Sequence, residues 1–378
     1  YKRQAPIPGH RIDPHATYLY GGAAPAFEQL ELQKFGFRFI NYRAAGGLVL
    51  SDGRGLSFST HNPELSKKSM EKFSKSDADT LGMLLENLWG NQENLCRFLR
   101  SIYWTPPPPE HIQLRSEELP WAKVINEFLP GIYSDAWNDF SLIELNDILL
   151  EFEPFKACFE MGAWYNGPHP AWKGTAIPAM ACNLLVFYSS GAPVGGMHSL
   201  AHSLVRCAMH YGARIYTRAR VEEIIIEDGE AKGVILADDA APKNKKIYAK
   251  KAVLSNTHVI PTFLDLIPSK ELEPDFIERV KGINIKGGSL FVLSLVTKEM
   301  PVFKDSATNE EFTRGKWPTC IVFGCDSRAA LHNHERVVYG ENSHPLKSED
   351  LVVMCCNHDA YDKTRCTVDG HYVFSPIY

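Results

Sequence analysis

The stretch GGMHSLAHSLVRCAMHYGARIYTRARVEEIIIEDGEAKGVILAD (195–238) decides the fold. Gly195-Gly196 opens a helix that carries Met197, Leu200, Ala201, Leu204, Val205 and Ala208 on one face, and Gly212 closes it. A short strand follows at ARIY, then a long strand, a turn at Asp228-Gly229 and a returning strand. Asp-Gly suits that turn because both residues accept positive φ. After a polar turn (Pro242–Lys246), IYAKKAVLSN (247–256) reads as a further strand ending at Ser255-Asn256. Helix, antiparallel meander and returning strand make one compact α/β unit.

Upstream, residues 161–196 carry one formal charge, Lys173, beside Trp164, Tyr165, Trp172, Phe187 and Tyr188. Core with Pro/Gly loops is one reading. The other is the wall of a dry cavity for an apolar ligand, since aromatic faces supply contact area without charge. Helical spacing of Leu81, Leu84, Leu85, Leu88, Leu95, Leu99 and Ile102 predicts helix from Ser76 to Trp104, ended by Pro106–Pro109. Ser141 and Glu144 form a capping box for a helix that stops before Pro154. Leu48–Thr60 reads as a hairpin around Asp52-Gly53. Downstream, PTFLDLIP (261–268) and PDFIERVKGI (274–283) are helical, and strands follow at 289–298, TCIVFG (319–324) and LVVMCC (351–356).

The chain has 378 residues, 44% hydrophobic and 22% charged, which excludes disorder as a description of the whole. Forty basic against 45 acidic residues leave a net charge of −5, so nothing attracts a nucleic acid and none is expected as a partner. Nine cysteines without a CxxC pair suggest free thiols in a reducing intracellular compartment, cytoplasm or organelle matrix. The spacings of Cys320, Cys325, Cys355 and Cys356 match no common zinc pattern, and no metal is expected. No apolar run reaches the roughly 20 residues of a membrane-spanning helix, and YKRQAPIPGH is no signal peptide.

Catalytic motifs are not visible. His198 and His202 stand at i, i+4, but the segment reads HSLAH rather than HExxH, and a solvated helix face is expected. His332 and His334, in LHNHE, read as loop. Glu222 and Glu223 point to opposite faces of a strand, which argues against shared acid/base work. GxSxG, P-loop and GxGxxG are absent from these residues.

The 195–256 unit resembles the middle section of the phytoene desaturase-like flavoproteins, which include carotenoid desaturases, carotenoid cis–trans isomerase and retinol saturase. Val221, Ile224, Glu227-Asp228-Gly229, Gly233-Val234 and Val253-Leu254-Ser255-Asn256 follow that family's order. GHRIDPHATYLYGG (9–22) and SDGRGL (51–56) are weaker echoes, with His15 where the family tends to have Gly. The family's N-terminal GxGxxG unit and its C-terminal Gly-rich segment have no counterpart in these residues, so the chain reads as part of a longer protein or a degenerate paralogue.

The resemblance implies an α/β, two-domain flavoprotein: a Rossmann-type FAD domain from discontinuous segments and a mixed α+β substrate domain. Residues 1–65 and 190–258 would belong to the FAD side, 66–189 to a helical substrate region, and 259–378 to the substrate-domain sheet and helices. FAD is the implied cofactor, with Val221, Ser255, Asn256, Gly195 and Gly196 as implied contacts; no catalytic residue is assigned. A core strand for Val221 and a structural turn for Ser255-Asn256 stand as plainer readings of those positions. The implied reaction is hydride transfer at carbon of a lipophilic, unsaturated substrate, as in a desaturase, saturase or dehydrogenase. Peripheral membrane contact is compatible with that substrate. Two other functions remain open: a non-redox cis–trans isomerase of a polyene, and a non-catalytic apolar-ligand or interaction protein that has lost its nucleotide-binding unit.

Overall fold

The computed structural model describes residues 7–13, 16, 19, 24–41, 44–59, 62–86, 92–106, 114–128, 131, 133–165, 167, 169–189, 191–283, 291–299, 302–303, 318, 320–338, 345–357, 359–368 and 372–377. Position 15, parts of the Pro106–Pro109 connector, and residues 289–290 and 319 lie outside that set. Two units emerge: Tyr1–Cys207 with Gly288–Tyr378, and Ala208–Gly287.

In the larger unit, after the short helix α1 (Pro25–Gln29), strand β1 (Phe39–Asn41) leads into β2 (Ala44–Val49) and β3 (Gly55–Ser59). The expected hairpin joins β2 and β3, with Gly53 at φ +89° and Asp52 Oδ1 accepting from Arg54 N–H at 2.9 Å. Helices α2 (Pro63–Glu71), α3 (Lys75–Leu84), α4 (Gln92–Tyr103), α5 (Pro120–Phe128), α6 (Leu142–Leu149), α7 (Glu153–Tyr165) and α8 (Ala176–Ser189) follow. Strand β4 (Gly191–Pro193) pairs back on β1. The capping box forms as expected, Ser141 Oγ accepting from Glu144 N–H while the Glu144 carboxylate accepts from Ser141 N–H.

Pro154 does not stop that helix. Helix α6 ends at Leu149, and Pro154 sits in the first turn of α7, where its missing N–H is no loss. The predicted helix over 76–104 is two helices, α3 and α4, on either side of residues 87–91, which are not described.

Helix α9 (His198–His210) spans the boundary between the units. It buries a different face from the one predicted: Ser203 and Cys207 are covered, whereas Leu204 and Val205 are each 39% exposed. Cys207 and Leu200 pack with Leu32 and Phe37, and that small cluster selects the face.

The smaller unit holds β5 (Val221–Glu227), β6 (Glu230–Leu236) and β7 (Lys246–Tyr248) as the expected antiparallel meander, then α10 (Val259–Leu264) and α11 (Pro274–Lys281). Asp228 (φ +52°) and Gly229 (φ +76°) make the turn between β5 and β6. The short strand expected at 213–216 has no sheet partner among the described residues. Of the strand expected at 247–256, only β7 and Ala249, whose N–H donates to the Lys232 carbonyl at 2.8 Å, pair with β6, leaving 250–256 outside the sheet. A strand needs a neighbour for its ladder. Tyr216 (55% exposed) and Leu254 (93%) accordingly face solvent within this unit.

The chain then returns to the larger unit through β8 (Leu295–Thr297), β9 (Cys320–Phe323), α12 (Arg328–Val338), β10 (Val353–Asn357) and β11 (Tyr372–Ile377). The six-stranded sheet runs β3-β2-β9-β10-β11-β8, parallel between β2 and β9 and antiparallel elsewhere. Of the strand predicted at 289–298, β8 covers 295–297. LHNHE is not a loop but the middle of α12, because Leu331, His334 and Glu335, spaced i, i+3, i+4, turn inward together. Helices and sheet share one core in which Phe58, Phe98, Leu99, Phe155, Val322 and Met354 are buried, with Phe58 and Phe155 stacked at 5.5 Å.

Candidate functional site

In the larger unit, the Gly195-Gly196-Met197 turn enters α9 with both glycines left-handed, at φ +83° and +93°. Its amides are already engaged. Gly195 N–H donates to Asp362 Oδ2 (2.7 Å), Gly196 N–H to the Pro193 carbonyl (2.9 Å), and Met197 N–H to Asp13 Oδ1 (3.1 Å). Asp13 therefore holds the anion position at the start of α9 with its own carboxylate. Arg365 Nη2 lies 2.9 Å from Asp13 Oδ2, and the three side chains are 3% (Asp13), 3% (Asp362) and 1% (Arg365) exposed. These amides are spent, so the turn does not fit a role as hydrogen-bond donor to a pyrophosphate. Both glycines are buried, and Arg11 lies over Gly195, where an added Cβ would meet Arg11 Nη1 at 2.8 Å; a flat ring would reach this Cβ-free backbone only in place of that guanidinium.

In the smaller unit, Val221 starts β5, which is an edge strand of the meander. The Arg220 carbonyl accepts from Ala237 N–H at 2.9 Å. No cis peptide occurs among the described residues, so the trans 220–221 peptide turns Val221 N–H the opposite way, to the outer edge of β5. On that edge Ile224 N–H already donates to the Leu266 carbonyl at 2.7 Å. An outward amide on an edge strand fits recognition of a nucleobase edge. Ser255 is spent locally: its Oγ lies 2.9 Å from Thr262 Oγ1 and accepts from Thr257 N–H at 3.3 Å, a structural turn. Asn256 is exposed.

The 161–196 stretch is largely core, with Ala163, Ala176, Ile177 and Ala181 fully covered. Two of its members nevertheless line a crevice. Met180 and Leu184 of α8 join Leu81 and Leu84 of α3, Leu145 of α6 and Phe159 of α7 around a space of about 490 Å³, its open mouth included. Thr80 and Asn146 are the polar residues in its lining.

Asn146 also borders a charged cluster that the sequence did not announce. Glu160 on α7 is fully buried, with Asn146 Nδ2 at 3.5 Å, Arg328 Nη1 at 3.6 Å and His332 Nε2 at 3.4 Å. Arg328 also pairs with Asp147 (2.9 Å) and Glu153 (2.8 Å). The Glu160 carboxylate beside it raises His332 above the usual imidazole value, against the downward push of burial. His334 is lowered by burial and accepts from Val352 N–H at 3.2 Å. His198 and His202 have ring centroids 4.5 Å apart, and no group of three or more His, Cys, Asp or Glu among the described residues could hold a metal ion. Cys320 and Cys356 face each other across β9 and β10; their mutual hydrogen bond and burial hold Cys320 protonated, well above the ordinary thiol value.

Residues 124–274 match the family model described as FAD binding domain. A limonene dehydrogenase subunit of Castellaniella defragrans is 24% identical over 352 residues, covering 89% of this chain and 60% of that protein. Prolycopene isomerase of Daucus carota is 35% identical over 106 residues, 28% of this chain and 16% of that protein. The chain thus spans about three fifths of the first relative's length and a smaller share of the second. Among solved structures, an oxidoreductase from Methanosarcina mazei aligns with TM-score 0.50 and 14% identity over 98% of this chain and 68% of that one. An engineered putrescine oxidase aligns with TM-score 0.52 and 13% identity over 98% and 65%. The chain shares the fold of these two solved structures, and the FAD binding domain match over 124–274 indicates FAD as the cofactor. The FAD-binding match over 124–274, the 195–256 motif order and the similarity to these relatives together fit the phytoene desaturase-like flavoproteins.

Proposed function

We propose that this FAD-binding oxidoreductase acts on a lipophilic, unsaturated substrate, as a desaturase, saturase or dehydrogenase. The similarity over 89% of the chain to a dehydrogenase named for limonene carries the reading, and the apolar crevice between α3, α6, α7 and α8 supports it. Bound FAD supplies a two-electron acceptor or donor for hydride exchange at carbon. This chain's residues bind and orient the substrate and keep water out. An all-carbon substrate offers no charge to grip, so leucine, methionine and phenylalanine side chains are the appropriate contacts. At about 25 cal/mol per Å², burying roughly 400 Å² of hydrocarbon contributes about 10 kcal/mol before ordering costs.

The cofactor contacts in this reading are Val221, Ser255, Asn256, Gly195 and Gly196. Residues 1–65 and 190–258 form the cofactor side, 66–189 the helical substrate region and 259–378 its sheet and helices. A membrane surface could present such a substrate; among the described residues no helix is long and apolar enough to cross one.

The stretch similar to prolycopene isomerase favours a second reading, isomerisation of a polyene without net redox change. Mass analysis of product from the full-length protein, incubated with an unsaturated hydrocarbon and an electron acceptor, separates the two. A dehydrogenase lowers the substrate mass by two hydrogens; an unchanged mass with altered double-bond geometry assigns the isomerase instead.

A further inference from the structure

We propose that Asp13, Asp362 and Arg365 are positioning residues, a buried clamp that holds the Gly195-Gly196 turn in the shape required against bound FAD. The inference rests on the FAD reading above and adds residues that lie outside the 195–256 motif. Three stretches far apart in the chain converge here within one unit. Arg11 N–H donates to the Arg365 carbonyl at 2.7 Å, and Thr367 N–H to the Gly9 carbonyl at 2.9 Å, which lays 9–13 alongside 365–367. Asp13 and Asp362 then reach the amides at either end of the glycine pair. Thr364 orients Asp362 in turn, its Oγ1 donating to Oδ1 at 2.6 Å and its N–H at 3.0 Å.

The composition of the clamp argues against simple packing. Burying a charged group costs stability unless it is paired, and apolar residues of similar volume often serve packing as well or better. Here two carboxylates and a guanidinium are sequestered around three backbone residues. Among the described residues Arg365 Nε and Nη1 have no hydrogen-bond partner, so the pair with Asp13 leaves part of the buried guanidinium uncompensated. The clamp also does not act as a phosphate site. The Gly195, Gly196 and Met197 amides are already engaged, and the carboxylates of Asp13 and Asp362 balance the guanidinium groups of Arg365 and Arg11, so neither free donors nor excess positive charge is left for an anion. Its effect is geometric: it fixes two buried glycines at positive φ, Gly195 lying under Arg11, so that this stretch of backbone has one shape rather than several.

The test compares full-length wild type with Asp362→Ala, Asp362→Asn, Arg365→Met and Arg365→Lys, titrating apoprotein with FAD and recording the bound-flavin spectrum. Melting without FAD is measured in parallel. The proposal expects Asp362→Ala and Arg365→Met to weaken FAD binding by about tenfold or more and to shift the flavin bands. Asp362→Asn and Arg365→Lys, which keep an acceptor and a cation, should remain near wild type. Should Arg365→Met fail to fold, the Asp362 pair decides alone, since the Asp13–Arg365 contact is left in place. Wild-type affinity and spectrum in Asp362→Ala, even with a lowered melting temperature, would overturn the clamp and leave the FAD reading standing. Wild type that takes up no FAD would remove both.

Discussion

His332 gains its proton affinity from a neighbour, and the consequence for stability has a definite sign. The Glu160 carboxylate 3.4 Å away raises it most, Glu335 adds to this, and burial and Arg328 oppose. A folded-state value above the unfolded 6.5 means that the pairing stabilises fully below that pH and fades as pH climbs through the raised value. His332→Gln should therefore lower the melting temperature most below pH 6.5, with the difference shrinking as pH climbs through the raised value. A difference that grows with pH would contradict the assignment. Little of this was legible beforehand. LHNHE is polar enough to pass for loop, and Glu160 lies 172 positions from His332, so their meeting depends on α7 packing against α12. Asp13 stood within the 9–22 echo, but Asp362 and Arg365 carried no motif at all.

Among elements, those with local signatures were readable and those depending on a distant partner were not. The Ser141–Glu144 cap, the two Asp-Gly turns and the β5–β6–β7 order each follow from residues within a few positions of one another. Gly233, part of the Gly-Val motif in β6, now has a physical reason: an added Cβ would stand 2.3 Å from the Ile247 carbonyl oxygen, so β7 can approach only a glycine. Gly233→Ala should destabilise the protein by about 2 kcal/mol, read from denaturant midpoints at constant m. A neutral outcome would mean that β7 is not held there. By contrast, β2 pairs in parallel with β9 more than 270 positions away, a match no local pattern encodes. The strand expected at 213–216 and the end of the one expected at 247–256, past Ala249, have β-like composition, but composition cannot supply the neighbour that a ladder requires.

At the scale of the whole molecule, the mixed helix-and-sheet fold and the FAD-binding match agree with what the 195–256 stretch implied. The apolar interior of the larger unit explains the chargeless 161–196 segment chiefly as core, with Met180 and Leu184 left over to line a crevice. A net charge of −5 spread over 378 residues adds no steering toward polyanions. The central claim is that this protein carries FAD, and the visible absorbance of the purified full-length protein tests it most directly. The account predicts flavin bands that persist through gel filtration and release FAD on denaturation. A colourless protein that stays colourless after incubation with excess FAD would contradict it.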